Sequence, residues 1–238
     1  MNIFSKKPKL QDQSGAMNVR RQILNKNSSF LVQEAYKTLR TNVRFFLNGK
    51  DCKKLCITSG VAGEGKSITL INLAISIAET GKKVLVVDCD LRRPAMARLL
   101  VEKASPGLSG VLAGMEDLDD AIRKDMYPNL DILFSGEVPP NPSELLGSDE
   151  MQNMIEKMSK RYDYILVDTP PVNVVSDACI VANLLDGVLL LVRKDSSRRD
   201  DVKRSVDSLR LTGAKILGFV LNGVAMEGSK AYGYDNKI

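Results

Sequence analysis

Along this chain, short runs that are apolar at nearly every position alternate with stretches in which apolar residues recur every three or four. The continuous runs fall at 55–57, 84–87, 130–134, 164–167, 187–192 and 215–222. Each has the length of a strand buried on both faces. Between them lie helical patterns. Val32, Tyr36, Leu39, Val43 and Phe46 make one stripe, with Ser28 or Ser29 as the cap in front of it. Ile68, Ile71, Ile75 and Ala78 make a second, and residues 149–161 and 197–211 predict two more helices. Ser143 starts a short helix, and 105–127 reads as short helices and turns. Strand–helix alternation throughout predicts an α/β fold with a doubly wound, mostly parallel sheet.

Residues 1–28 are polar, basic and without period, and read as a mobile arm. A single domain over 29–226 follows, with no internal repeat or linker. Residues 227–238 are a flexible tail bearing Tyr232 and Tyr234, which either exposes both hydroxyls or folds back.

The stretch that changes the picture is the turn between the first strand and its helix, Gly60-Val61-Ala62-Gly63-Glu64-Gly65-Lys66-Ser67. It fits the phosphate-loop template of Gly, four residues, Gly, Lys, Ser/Thr. Backbone N–H groups over Gly63, Glu64, Gly65, Lys66, Ser67 and Ile68 can cradle a nucleoside triphosphate such as ATP, helped by the helix N-terminus. Lys66 reaches the β/γ-phosphates and the Ser67 hydroxyl ligates Mg²⁺ in such a loop. The run ending at 167 stops in Asp168-Thr169-Pro170-Pro171, a Walker-B arrangement whose acid holds Mg²⁺. The run at 84–87 ends in Asp88-Cys89-Asp90. Ligands sit at the carboxyl ends of strands in such sheets, so Asp88 and Asp90 fall near the phosphates. Asp90 can instead serve only the turn before the next helix. Asn222, at the last strand's end, can read a nucleobase edge or cap its turn.

Composition narrows the chemistry. The chain of 238 residues has no histidine, which excludes serine–histidine hydrolysis and histidine–zinc sites. Any general base is then a carboxylate or lysine. Cys56, Cys89 and Cys179 lie in or beside apolar segments, as buried free thiols do, and Cys52 completes a set without zinc-ribbon spacing. No run has the length of a membrane span and no signal-peptide core is present, which predicts a cytoplasmic chain. The net charge of +5 resides in the first 50 residues, with ten Lys/Arg against two acids. That end can rest on anionic lipid or an acidic partner, or be a solvated tail. No aromatic-basic motif supports specific nucleic-acid binding. On the first helix Glu34, Lys37, Arg40 and Arg44 line a charged face, solvated or part of a subunit interface.

Over residues 29–238 the chain resembles the bacterial tyrosine kinases (BY-kinases) of the capsule and exopolysaccharide type. The resemblance rests on 63–67, on the Walker A′ run Val86-Val87-Asp88-Cys89-Asp90-Leu91-Arg92, and on 165–171. It also rests on Pro140-Asn141-Pro142, the segment from Glu34 to Asn42, and the tyrosine tail. It implies a deviant-Walker P-loop fold and transfer of the ATP γ-phosphate to tyrosine. Lys66, Asp88 and Asp90 would be catalytic, and Ser67, Asp88 and Asp168 would hold Mg²⁺. Tyr232 and Tyr234 would be autophosphorylated in trans. The resemblance further implies a ring built through Glu34, Lys37 and Arg40, with Lys37 where the family carries arginine. The implied partners are a membrane adaptor with a cytoplasmic tail, protein tyrosine substrates and a cognate phosphatase. The implied place is the inner face of the membrane. Switch ATPases of the same fold, the rival reading, carry a signature lysine five residues before the loop lysine, where this chain has Val61. An idle nucleotide-binding module is the other.

Overall fold

The computed structural model describes residues 22–224. Its strands are β1 (Lys53–Ser59), β2 (Val84–Asp88), β3 (Ile122–Tyr127), β4 (Leu130–Leu133), β5 (Tyr164–Asp168), β6 (Gly187–Arg193) and β7 (Ile216–Asn222). They form one seven-stranded sheet in the order β3-β4-β2-β5-β1-β6-β7. Every pairing is parallel except that of the edge hairpin β3–β4. The order jumps from β2 to β5 to β1, so each crossover carries a helix over a face.

Helices α1 (Phe30–Phe46), α2 (Lys66–Ala78) and α3 (Met96–Leu100) pack on one face. Helices α4 (Leu108–Leu112), α5 (Leu118–Ala121), α6 (Pro142–Leu146), α7 (Asp149–Ser159), α8 (Asp177–Ala182) and α9 (Arg199–Leu211) cover the other. Side chains alternate between the two cores: Val84, Val86 and Leu166 meet the α2 layer, while Leu85, Val87, Ile165 and Val167 meet the opposite one. The same alternation turns Asp88 and Asp168 toward α2. All four cysteines are buried and unpaired.

Three sequence expectations need correction. Residues 122–127 are a strand rather than helix or turn. Their middle is solvent-exposed, so no apolar alternation marks them, and pairing with β4 across a turn with Asn129 at φ 63° creates the strand. On α1, capped by the Ser29 side chain, only Val43 is fully buried, whereas Val32 and Phe46 are exposed. Tyr36 and Leu39 pack partly against the core. Finally, the end of the expected mobile arm is part of the packed domain. Ile23 and Leu24 are buried, and Asn72 on α2 binds the segment twice: Leu24 N donates to its Oδ1 at 2.8 Å and its Nδ2 donates to the Gln22 carbonyl at 2.9 Å. Residues 1–21, and the tail with Tyr232 and Tyr234, lie outside the described residues.

Candidate functional site

The carboxyl ends of β1, β2 and β5 meet under the N-terminus of α2. The loop from β1 to α2 turns through Gly63 at φ 82° and Gly65 at φ 100°. At Gly65 a side chain is excluded twice over, because a Cβ would also lie 2.5 Å from Asn222 Nδ2. Almost every residue of α2 after Ser67 is buried, so the loop stands on a helix that cannot shift without disturbing the core.

Two acids stand side by side beneath this loop. Asp88 and Asp168 are partners in register on β2 and β5, and both are buried. The Ser67 hydroxyl donates to Asp168 Oδ2, and Asp90 N donates to Asp88 Oδ1 at 3.1 Å. The remaining oxygens, Asp88 Oδ2 and Asp168 Oδ1, are buried without a hydrogen-bond partner. Burial is the chief cause that pushes both carboxyls above their usual range, and at Asp88 the Asp168 charge adds to it. At Asp168 the Lys66 charge and the Ser67 hydrogen bond pull the other way. Orphaned buried carboxylate oxygens are rare in folded proteins and call for a ligand. A hydroxyl and two carboxylates are hard oxygen donors, too few for a resident cation but right for Mg²⁺ arriving with phosphates.

Lys66, Ser67, Ile68, Gly63, Gly65, Asp90 and Asn222 all line one cavity of about 1300 Å³. It runs from the loop to α1 and to the Pro170-Pro171 turn. That turn is bolted to β1, since Thr58 Oγ1 donates to the Pro170 carbonyl and Thr169 Oγ1 to the Ile57 carbonyl, both at 2.9 Å. Asp90 has a local role as well: its Oδ1 accepts from Arg93 N at 3.0 Å.

The side chains of the other expected site residues take separate places. Glu64 is buried and does not face the cavity; its carboxylate accepts from the Ser197 hydroxyl. Asn222 Nδ2 donates to the Glu64 carbonyl at 2.8 Å, and its Oδ1 accepts from Gly223 N at 2.8 Å. Its amide braces the loop and keeps one N–H and one lone pair for a ligand. Glu34 and Lys37 pair with each other at 2.7 Å on the surface of α1. Arg40 instead turns inward, donating to the Ser76 carbonyl and, at 3.3 Å, to the Ser76 hydroxyl on α2.

Sequence reasoning missed four side chains. Arg193, at the end of β6, donates through Nη1 to the Gly63 carbonyl at 2.9 Å, and Ser197 secures Glu64. Buried Asp177 and half-buried Ser143 hold Arg92, which follows the two acids in sequence. A basic residue ending an apolar strand was a visible sign for Arg193, though Lys194 directly follows it. Nothing in the mostly apolar stretch before Gly187 singled out Asp177.

The AAA domain family matches residues 52–193, more than half of the chain. The chain is 36% identical over 204 residues to tyrosine-protein kinase YwqD of Bacillus subtilis, covering 86% of each. It is 39% identical over 202 residues to tyrosine-protein kinase CpsD of Streptococcus agalactiae, covering 84% of this chain and 86% of that one. Among solved structures, the chimerical protein CapA2B2 superposes with a TM-score of 0.80 at 34% identity over 85% of this chain and 88% of that one. The kinase domain of Escherichia coli tyrosine kinase Etk gives 0.79 at 36% identity over 90% and 87%. The septum site-determining protein MinD of Pyrococcus horikoshii, complexed with Mg-ADP, gives 0.60 at 30% identity over 71% and 70%.

Proposed function

The chain belongs to the bacterial tyrosine kinases, and from that premise we propose that it moves the γ-phosphate of ATP onto tyrosines of its own tail in trans. The observation that carries this reading is the buried Asp88–Asp168 pair, with its two unpartnered oxygens, beneath the phosphate loop. The switch-ATPase reading is not favoured. That fold matches less closely than the kinase domains do, and Val61 occupies its signature-lysine position.

In this reading the loop N–H groups and Lys66 hold the triphosphate, and Ser67, Asp88 and Asp168 would hold Mg²⁺. The cation, when bound, neutralises charge on the phosphate oxygens. Asp88 orients the incoming tyrosine hydroxyl and receives its proton as that oxygen bonds to the γ-phosphorus. The bond to the bridging oxygen breaks and leaves ADP. A carboxyl pushed upward by burial is a better proton acceptor than an exposed aspartate. Asp90 supports Asp88 from the neighbouring turn, and its role stays electrostatic. Arg193, Ser197 and Asn222 keep the loop in shape.

The acceptors are Tyr232 and Tyr234. The named likeness to a CapA–CapB chimera supports a membrane adaptor whose cytoplasmic tail engages this chain, which would place it at the inner face of the membrane. Among the described residues no helix is long and apolar enough to cross one. The biological role we assign is control of capsule or exopolysaccharide synthesis, with a ring oligomer as the assembly and a phosphatase in opposition.

The test mixes a Lys66→Met chain, tail intact, with a tail-less active chain under ATP and Mg²⁺. Phosphotyrosine at 232 or 234 of the Lys66→Met chain, absent when the active partner carries Asp88→Asn, is the expected result. Phosphate release without phosphotyrosine would sink the kinase reading. Phosphotyrosine on wild type alone would sink only the trans step.

A further inference from the structure

Arg92 follows the two acids of the β2 end, and its guanidinium is fixed along two edges. Nε donates to Asp177 Oδ2 at 2.7 Å, and Nη2 donates to Asp177 Oδ1 at 3.1 Å and to Ser143 Oγ at 2.8 Å. Asp177 is fully buried, and Ser143 donates to its Oδ1 at 2.7 Å, so the fork is anchored in the α6–α8 layer. Arg92 lines the large cavity, and its side chain is 38% exposed. Nη1 carries no hydrogen bond among the described residues. Glu144 and Asp90 are the other carboxylates near it, and neither forms an ion pair with it. Arg93, next in sequence, also lines the cavity, and its side chain has no hydrogen bond or ion pair among the described residues.

Neutralising Asp177 accounts for Nε and Nη2. It does not account for the unused N–H groups of Nη1 on a residue that lines the cavity, nor for a second arginine beside it whose side chain is unpaired among the described residues. A guanidinium already locked by a carboxylate gives up little freedom when it grips a ligand, and its planar edge suits carboxylate and phosphate oxygens. The two arginines follow Asp90 by two and three residues and line the same cavity as it and as Lys66 and Ser67 at the α2 N-terminus. Asp235 directly follows Tyr234 in this chain's own tail, and a phosphate on either tail tyrosine would lie two residues from the other.

We propose that Arg92 and Arg93 form an anion subsite for the tyrosine-bearing segment, which takes a carboxylate or phosphate group flanking the target tyrosine. Asp177 is a positioning residue for it. This rests on the kinase reading above.

The test uses the full chain with Tyr232→Phe and Tyr234→Phe, and offers peptides of residues 227–238 as acceptors. One peptide keeps Asp235, a second carries Asp235→Asn, and a third carries phosphotyrosine at 232. The ratio of kcat/KM between charged and neutral peptides should be about tenfold, the size of one charge-assisted contact. It should fall toward one in Arg93→Gln and in Arg92→Gln/Asp177→Asn, where the double change leaves no buried charge orphaned. Fluorescence anisotropy of the same labelled peptides, with ADP and Mg²⁺ present, reads the preference without turnover. A preference seen in binding while no peptide is phosphorylated would keep the subsite and discard the kinase reading. An unchanged ratio in both variants, or no preference in wild type, would overturn the subsite. So would a rise confined to the KM for ATP, which would assign the guanidinium to the nucleotide.

Discussion

Asp88 and Asp168 stand opposite one another in register on adjacent parallel strands, and each keeps one carboxylate oxygen without a partner. Two buried carboxylates on one face of a sheet oppose their own ionisation, so the folded chain holds protons there that the unfolded chain would release. Asp168 is pushed up to about 6. A raised folded-state value means that this contribution to stability is full below the unfolded value near 4 and is lost as pH rises through about 6. The metal-free chain should therefore lose melting temperature from this pair as pH rises from 4 to 7. Mg²⁺ with ADP should restore it, and the restoration should grow over the same interval. Differential scanning calorimetry at fixed ionic strength measures both; a restoration independent of pH would contradict the linkage.

Asp88→Asn removes one of the two charges and keeps the shape and the acceptor that Asp90 N uses. The metal-free variant should be more stable than wild type above pH 6, by about 0.5–2 kcal/mol, as when a site built for function is relieved of strain. Phosphotyrosine formation should fall at least 100-fold. Urea unfolding at pH 7.5 checks the first, and mass spectrometry of the tail checks the second. A destabilised variant would mean that the pair is held by bonds other than those described.

How much of this was legible beforehand follows from where each residue's signal resides. Strands β1, β2, β4, β5 and β6 were readable because each is an apolar run largely buried between the two helical layers, and the phosphate loop because its glycines carry a local backbone requirement. Strand β7 was readable from its apolar run as well, but as an edge strand it leaves Phe219 and Leu221 exposed instead of being buried on both faces. Strand β3 was not, since its pairing with β4 rather than its own pattern makes it a strand. Asp88 and Asp168 could be assigned to strand ends, but their pairing depends on β5 inserting between β2 and β1, which is a property of the sheet order. Asn222 was legible as a strand-end amide. Its contact with Glu64, 158 residues away in sequence, was not.

That contact gives the next prediction. Asn222→Ala removes the donor to the Glu64 carbonyl and opens the space above Gly65. Affinity for ADP with Mg²⁺ should fall roughly threefold to tenfold, the worth of one hydrogen bond. Asn222→Asp sets an anion against that carbonyl and should lose more. Isothermal titration calorimetry reads both. Equal affinity in all three proteins would remove Asn222 from the loop's support.

The segment Gln22–Leu24 crosses α2 and should behave as part of the domain. Leu24→Ala empties a buried site and should cost about 2–4 kcal/mol. Asn72→Ala leaves Leu24 N and the Gln22 carbonyl without their partner and should cost about 1–3 kcal/mol. Limited proteolysis distinguishes the two outcomes of interest. Cleavage within residues 22–28 should be slow in wild type and fast in Asn72→Ala; fast cleavage in both would mean that the strap opens freely.

On α1 the three residues of the expected ring motif divide into two kinds. Glu34 and Lys37 pair on the surface, each about half exposed, and such a pair adds little to stability, about 0.2–1 kcal/mol at most. Arg40 braces α1 against Ser76 on the phosphate-loop helix. Glu34→Ala with Lys37→Ala should leave the monomer's melting temperature within about 2 °C, a change of ~0.5 kcal/mol in a domain of this size. Arg40→Ala should lower it by several degrees and weaken nucleotide binding, because the loosened helix is the one that begins at Lys66. If a ring forms through this face, the Glu34/Lys37 double variant should shift the mass distribution to monomer at unchanged melting temperature, and Arg40→Ala should move both. Mass photometry beside thermal melting separates these outcomes. A double variant that keeps its assembly would take Glu34 and Lys37 out of the interface and leave Arg40 as a residue of the fold.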